Sequence, residues 1–168
     1  DNRRSRGLGD VYKRQTLYED NSMDVDANIL IQFSTNMKGT IRSSQIATGE
    51  ENNLRISVYG EKGGLKWEQE NPNYLYHLKD DAPLQVLKSG HGYNNEISLD
   101  GTKLPPGHPE GIFDSMGNIY KGVARAIRQE SFAPVEFPSI EDGVRGMDFI
   151  EKTIESNSKG NVWVELNK

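Results

Sequence analysis

NLRISVYGEKGGLKWEQE, residues 53–70, spells two strands and the turn between them in period two. Leu54, Ile56 and Val58 alternate with Asn53, Arg55, Ser57 and Tyr59, so an extended chain puts the apolar set on one face and the polar set on the other. The segment EKGG (61–64) is hairpin-turn chemistry. Beyond it Leu65 and Trp67 stand opposite Lys66 and Glu68. Two alternating runs joined by a short glycine turn pair antiparallel.

The same rhythm extends both ways. In ANILIQF (27–33) Ala27, Ile29, Ile31 and Phe33 share a face, and Leu30 is the exception among Asn28 and Gln32 on the other. STNMKG is a turn in which Gly39 can supply a positive φ. GTIRSSQIA (39–47) reads as the next strand, with Ile41 on one side and Thr40, Arg42 and Ser44 on the other. YLYHL and PLQVL add strands downstream, and VWVEL closes the chain as a last one. Residues 16–26 are polar and acidic and read as a loop, as does the long stretch 89–109.

An apolar sheet face needs cover, and two helical periodicities are available. Ile112, Met116, Ile119, Val123 and Ile127 recur at helical spacing, with Pro109 suited to the first turn. In SIEDGVRGMDFIEKTIESNSKG (139–160) the expected core side is Ile140, Val144, Met147, Ile150 and Ile154. Ser139 and Asp142 form a capping box there, and Gly160 ends the helix. The predicted fold class is α+β: an open, mostly antiparallel sheet with helices packed on one face.

At 168 residues the chain suits a single well-cored domain, and 27% charged with 34% hydrophobic residues is a soluble globular composition. No apolar run approaches the ~20 residues of a membrane span, so no membrane partner is expected. The absence of cysteine fits a reducing, cytoplasmic setting. Net charge is −5, yet residues 1–15 carry five basic and two acidic groups, leaving −8 on the remaining 153. An acidic body repels polyphosphate, so no nucleic-acid partner is expected.

Chemistry-bearing motifs are few. GLGD (7–10) lacks the third glycine, the preceding strand and the following helix of a dinucleotide fingerprint. His77, His91 and His108 lie 14 and 17 residues apart, without a second ligand at metal-site spacing. Two places attract a functional expectation. One is the polar sheet face, with Arg42, Ser44 and Gln45, then Arg55, Ser57, Tyr59, Lys66 and Glu68; it suits a polyhydroxylated ligand or a wet protein interface. The other is PPGHPEG (105–111), where His108 precedes a helix start and can act as a hydrogen-bond donor or an acid/base.

The run from DVDANILIQF to GEKGGLKWEQENPNYL resembles the C-terminal domain of the Gfo/Idh/MocA oxidoreductases, which include glucose–fructose oxidoreductase and inositol dehydrogenase. The matching residues are Gly60, Gly63 or Gly64, Leu65 and Trp67 in a G-x-x-G-x-L-x-W pattern. GHPEGIFDSMGNIYKGVARAI resembles the family's HPEG helix opening, and residues 138–166 resemble its terminal helix and strand. The likeness spans roughly residues 24–166.

The resemblance implies an enzyme that transfers hydride between NAD or NADP and a sugar, polyol or inositol-like substrate. It implies an N-terminal Rossmann domain as partner, which this chain lacks, and a homo-oligomer formed through the sheet. Residues 16–168 then form the substrate and oligomerisation domain. Arg42, Ser44, Gln45 and His108 are candidate substrate-binding residues. No catalytic, cofactor-binding or metal-binding residue is assigned, because the family's Asp/His helix would lie upstream of residue 16. No cofactor is expected on this fragment alone, and the fragment is expected to be inactive. The alternative is a non-enzymatic, sheet-faced binding or oligomerisation module.

The first fifteen residues read as a non-native leader. DVYKRQ (10–15) can be encoded GAT GTG TAT AAG AGA CAG, a match to the transposon mosaic end used in tagmentation libraries, and translated adapters are excluded from fold reasoning.

Overall fold

The computed structural model describes residues 5–10, 24–130 and 137–166. Residues 11–15 of the expected adapter stretch 10–15, and residues 16–23 of the expected loop 16–26, lie outside the described residues. The chain divides into two compact units, one made of residues 1–49 with 138–168 and the other of residues 50–137.

The first unit holds β1 (Ser5–Asp10), β2 (Asp26–Phe33) and β3 (Lys38–Ser44) in the order β1-β2-β3, each pair antiparallel. The β2–β3 register runs from Asp26 opposite Ser44 to Gln32 opposite Lys38. Strand β1 was not expected from the sequence. It pairs through backbone groups, which any non-proline residue supplies at an open sheet edge. The positive φ of the β2–β3 turn belongs to Asn36 (65°), and Gly39 instead pairs with Ile31 inside β3. Asparagine tolerates that region because its short side chain hydrogen-bonds locally.

Burial on β2 follows the alternation. Ile29 is 6% exposed and Leu30, on the other face, 40%. Ile29 and Val164 form the buried core, with Ala27, Ile31, Phe149 and Leu166 packed around them. Val164 makes a single bridge, all that forms of the expected closing strand VWVEL.

Phe149 belongs to the helix Ile140–Ser158, the third in the chain. Ser139 Oγ accepts from the Asp142 N–H at 3.2 Å, and Asp142 Oδ2 accepts from the Ser139 N–H at 2.8 Å, which is the expected capping box. Gly160, at φ 86°, follows the last turn. The helix buries a different side from the expected one. Thr153 and Ser156 are its buried residues, whereas Ile140, Val144, Met147, Ile150 and Ile154 are 51–77% exposed. Small hydroxyl residues can be buried because their oxygens donate locally: Thr153 Oγ1 to the Phe149 carbonyl at 2.8 Å, Ser156 Oγ to the Val162 carbonyl at 2.6 Å.

The second unit holds β4 (Arg55–Gly60), β5 (Gly63–Glu68), β6 (Tyr74–Lys79) and β7 (Ala82–Lys88), an antiparallel meander in chain order. The one expected sheet is therefore two. Between β3 and β4 the chain turns through Gly49, Glu51 and Asn53 at φ 89°, 53° and 38°, which an extended strand cannot contain. Helix α1 (Glu96–Gly101) arises inside the stretch read as a loop, with Asn95 Oδ1 accepting from the Ser98 N–H at 2.8 Å.

Helix α2 (Ile112–Ile127) begins at Gly111, whose N–H donates to Asp114 Oδ2 at 2.8 Å, so Pro109 precedes the helix. Its apolar residues Ile112, Phe113 and Ile127 are 66%, 89% and 78% exposed, so these side chains do not cover a sheet. The helix Ile140–Ser158 is α3.

Candidate functional site

Residues opposite one another in an antiparallel pair share a face. Asp26 and Asn28 therefore stand with Ser44 and Arg42 on the polar side of the first sheet. Asn28 Nδ2 donates to Asp26 Oδ2 at 3.2 Å. Arg42 is exposed, and Ser44 Oγ is buried without a hydrogen-bond partner among the described residues. Gln45 continues the ladder by one bond, its N–H donating to the Val25 carbonyl at 2.7 Å, and is itself exposed. Arg42 and Ser44 thus share the polar side of β3, and Gln45 follows at its end. The Arg42 guanidinium and the Gln45 carboxamide are open to solvent there, whereas the Ser44 hydroxyl is enclosed.

The rest of the expected polar face belongs to the second unit. Arg55 opposes Glu68, Ser57 opposes Lys66, and Lys66 opposes Tyr76. Lys66 Nζ lies 5.9 Å from the Tyr59 ring centroid and Lys88 Nζ 5.8 Å from that of Tyr74, within cation–π range. The G-x-x-G positions acquire separate reasons here. Gly63 has φ 141°, and a Cβ on it would lie 2.3 Å from the Leu78 carbonyl oxygen; a Cβ on Gly64 would lie 2.8 Å from the Tyr59 ring. Both are required.

His108 also belongs to the second unit, on a loop built by side chains that sequence reading missed. Asn73 Nδ2 donates to the Glu110 carbonyl and the Glu110 N–H donates to Asn73 Oδ1, both at 2.9 Å. The Glu110 carboxylate accepts from the N–H groups of Lys103 and Leu104. Only the turn spelling NPN (71–73) hinted at a fixed asparagine.

Next to this loop, Asp100 of α1 accepts from Arg125 at 2.8 and 3.0 Å and from Lys121 at 2.7 Å. Those bonds, the Arg125 one first, hold its carboxyl well below the usual carboxylate range. Lys103 Nζ and Lys121 Nζ donate to the Asp100 carbonyl, and Asn118 Nδ2 to that of Gly101, closing the C-terminal end of α1. Burial first, then the adjacent Lys121 ammonium, pushes the Lys103 amine down. This cluster is structural: its donors finish a short helix.

The other histidines are engaged separately. His77 Nδ1 lies 3.0 Å from Gln85 Oε1 across β6–β7, and His91 stacks on Tyr93 at 5.2 Å. Among the described residues no three His, Asp or Glu side chains converge as a metal site. Gly7 and Gly9 lie within β1, where Gly9 pairs with Leu30, so these two glycines sit in a strand and not in a phosphate-binding turn. Among the described residues no helix is long and apolar enough to cross a membrane.

The match to a family model, an oxidoreductase-family C-terminal alpha/beta domain, covers residues 9–166. This chain belongs to the Gfo/Idh/MocA oxidoreductase family as its C-terminal domain. An uncharacterized oxidoreductase, YfiI of Bacillus subtilis, is 29% identical over 150 residues, covering 86% of this chain and 38% of that protein. A solved oxidoreductase from Sinorhizobium meliloti superposes with a TM-score of 0.89 at 32% identity, over 97% of this chain and 47% of the other. An inositol dehydrogenase homolog from Azotobacter vinelandii, solved with NADH and myo-inositol, gives 0.80 at 26%, over 98% and 45%. The chain spans less than half the length of each of these relatives.

Proposed function

We propose that this chain is the substrate-and-assembly domain of an NAD- or NADP-dependent oxidoreductase acting by hydride transfer on a sugar, polyol or inositol-like substrate. The observation that carries the reading is the polar end of β3, with Arg42 and Gln45 exposed around Ser44, in a family domain similar to a protein solved with myo-inositol. Such a surface binds hydroxyl groups through oriented donors and acceptors. Hydride transfer needs cofactor and substrate carbon held together, and the GLGD glycines, set within β1, form no nucleotide cradle. In this reading the 168-residue polypeptide alone neither binds NAD(P) nor turns over substrate. It partners a Rossmann domain and a second copy of itself in a cytoplasmic oligomer.

A second reading, a sheet-faced binding or oligomerisation module without enzymatic activity, draws on the exposed Ile56, Val58 and Tyr59 of β4. The deciding experiment reads codons 10–15 and the source DNA upstream of Thr16. In-frame continuation into a strand–GxGxxG–helix, with mosaic-end codons at 10–15, supports the oxidoreductase and the non-native leader together. A native start codon near Thr16 supports the module. For the full-length product, Arg42→Ala is expected to raise KM for the polyol about tenfold, as loss of a charged hydrogen bond does.

A further inference from the structure

The segment PPGHPEG is more than a helix opening. The His108 N–H donates to the Pro105 carbonyl at 3.2 Å, with Pro106 and Gly107 between them and Gly107 at φ 88°. That is a type II turn, with proline at its second position and glycine at its third. The feet of the loop are closed by the Glu110 carboxylate on the Lys103 and Leu104 N–H groups. The whole is fastened to the β5–β6 connection by Asn73, whose carboxamide engages both peptide groups of Glu110. Those two bonds, one to an obligate acceptor and one from an obligate donor, fix which way the carboxamide faces, and Ser89 Oγ adds a donated bond to Asn73 Oδ1 at 3.1 Å.

His108 Nδ1 lies 3.2 Å from the Pro105 carbonyl oxygen. A carbonyl only accepts, so Nδ1 carries the proton in that contact; in the neutral ring the lone pair is then on Nε2, which has no partner among the described residues. We propose that Asn73, acting through Glu110, is the positioning residue that holds His108 as its Nδ1–H tautomer, with Nε2 presented to accept a hydrogen bond from a ligand hydroxyl. The hydroxyl part rests on the polyol reading above; the positioning part does not.

The test uses the full chain labelled with 15N-histidine, read by long-range 1H–15N correlation above the imidazole titration range. Neutral histidine in water favours Nε2–H. The expected result is an Nδ1–H excess at His108 that Asn73→Asp shifts toward Nε2–H, because a carboxylate cannot donate to the Glu110 carbonyl. His91 serves as the unshifted control in the same spectrum. A wild-type His108 already in the Nε2–H form overturns the proposal without any variant. So does a folded Asn73→Asp protein with an unchanged His108 signal. Because no polyol enters the measurement, its failure is distinct from failure of the substrate reading, which upstream sequencing and the Arg42 variant test.

Discussion

The two sheets are written in the same period-two code and buried to different degrees. On β2 the apolar face closes on a core, Ile29 being 6% exposed beneath Val164 and Phe149. On β4 the same alternation leaves Ile56 at 58% and Val58 at 52% exposed, and every residue of the strand is open. The alternation therefore specifies a strand and its two faces, while burial depends on whether another element arrives on one of them. α3 and the terminal segment carrying Val164 do so for β2. At the edge position of β4, none of the described residues of its own unit does.

The sharpest way to break this contrast is to truncate both faces. Ile29→Ala is expected to cost about 2–5 kcal/mol, and Val58→Ala to stay within about 0.5 kcal/mol. Urea unfolding measures both, and hydrogen exchange assigns each loss to its unit. Equal costs would mean that the β4 face is covered in solution.

Gly63→Ala comes next, an expected loss of about 1–3 kcal/mol. It forces a side chain to φ 141° and onto the Leu78 carbonyl, so exchange should quicken in β5 and β6 while β2 stays protected. Ser156→Ala is expected to cost about 1–2 kcal/mol in the first unit by leaving the Val162 carbonyl unpaired. A neutral result would show that the terminal segment is held by Val164 packing alone.

The smallest effect is electrostatic. Hydrogen bonds from Lys152 and then Lys159 hold the Glu155 carboxyl down to about 2, from an ordinary 4.5. A depressed folded-state pKa adds stability that is complete above 4.5 and is lost as pH falls toward 2. Glu155→Gln should therefore flatten the acid limb of the urea midpoint in that window and change little at neutral pH. Added salt should shrink the difference, since both lysines reach the carboxylate at the surface.

Much of the fold was legible because it is local. The turn at Glu61–Lys62, the strands β2 to β7 and the Ser139 cap each follow from residues a few positions apart. The division into two sheets was not, since the positive φ values at Glu51 and Asn53 belong to residues with no obligation to adopt them. Helix α1 hid because six residues are too few to show a period. In the candidate site, Arg42 and Ser44 were readable as alternate polar positions of one strand, with Gln45 directly after it. Asn73 was not, because its partner Glu110 lies 37 residues away and is gripped through backbone atoms that carry no sequence signal.

By itself the sequence determined the period, the caps, the glycines of the β4–β5 hairpin and the family resemblance that the comparisons bear out. These depend on side chains near in sequence and on the two periodicities of strand and helix. Only the tertiary structure decided which side of α3 is buried. Thr153, Ser156 and Phe149 face inward in place of the apolar stripe from Ile140 to Ile154. The reason is physical: a buried hydroxyl is tolerable once an oxygen is placed to receive it, and only the folded chain brings the Val162 carbonyl to Ser156.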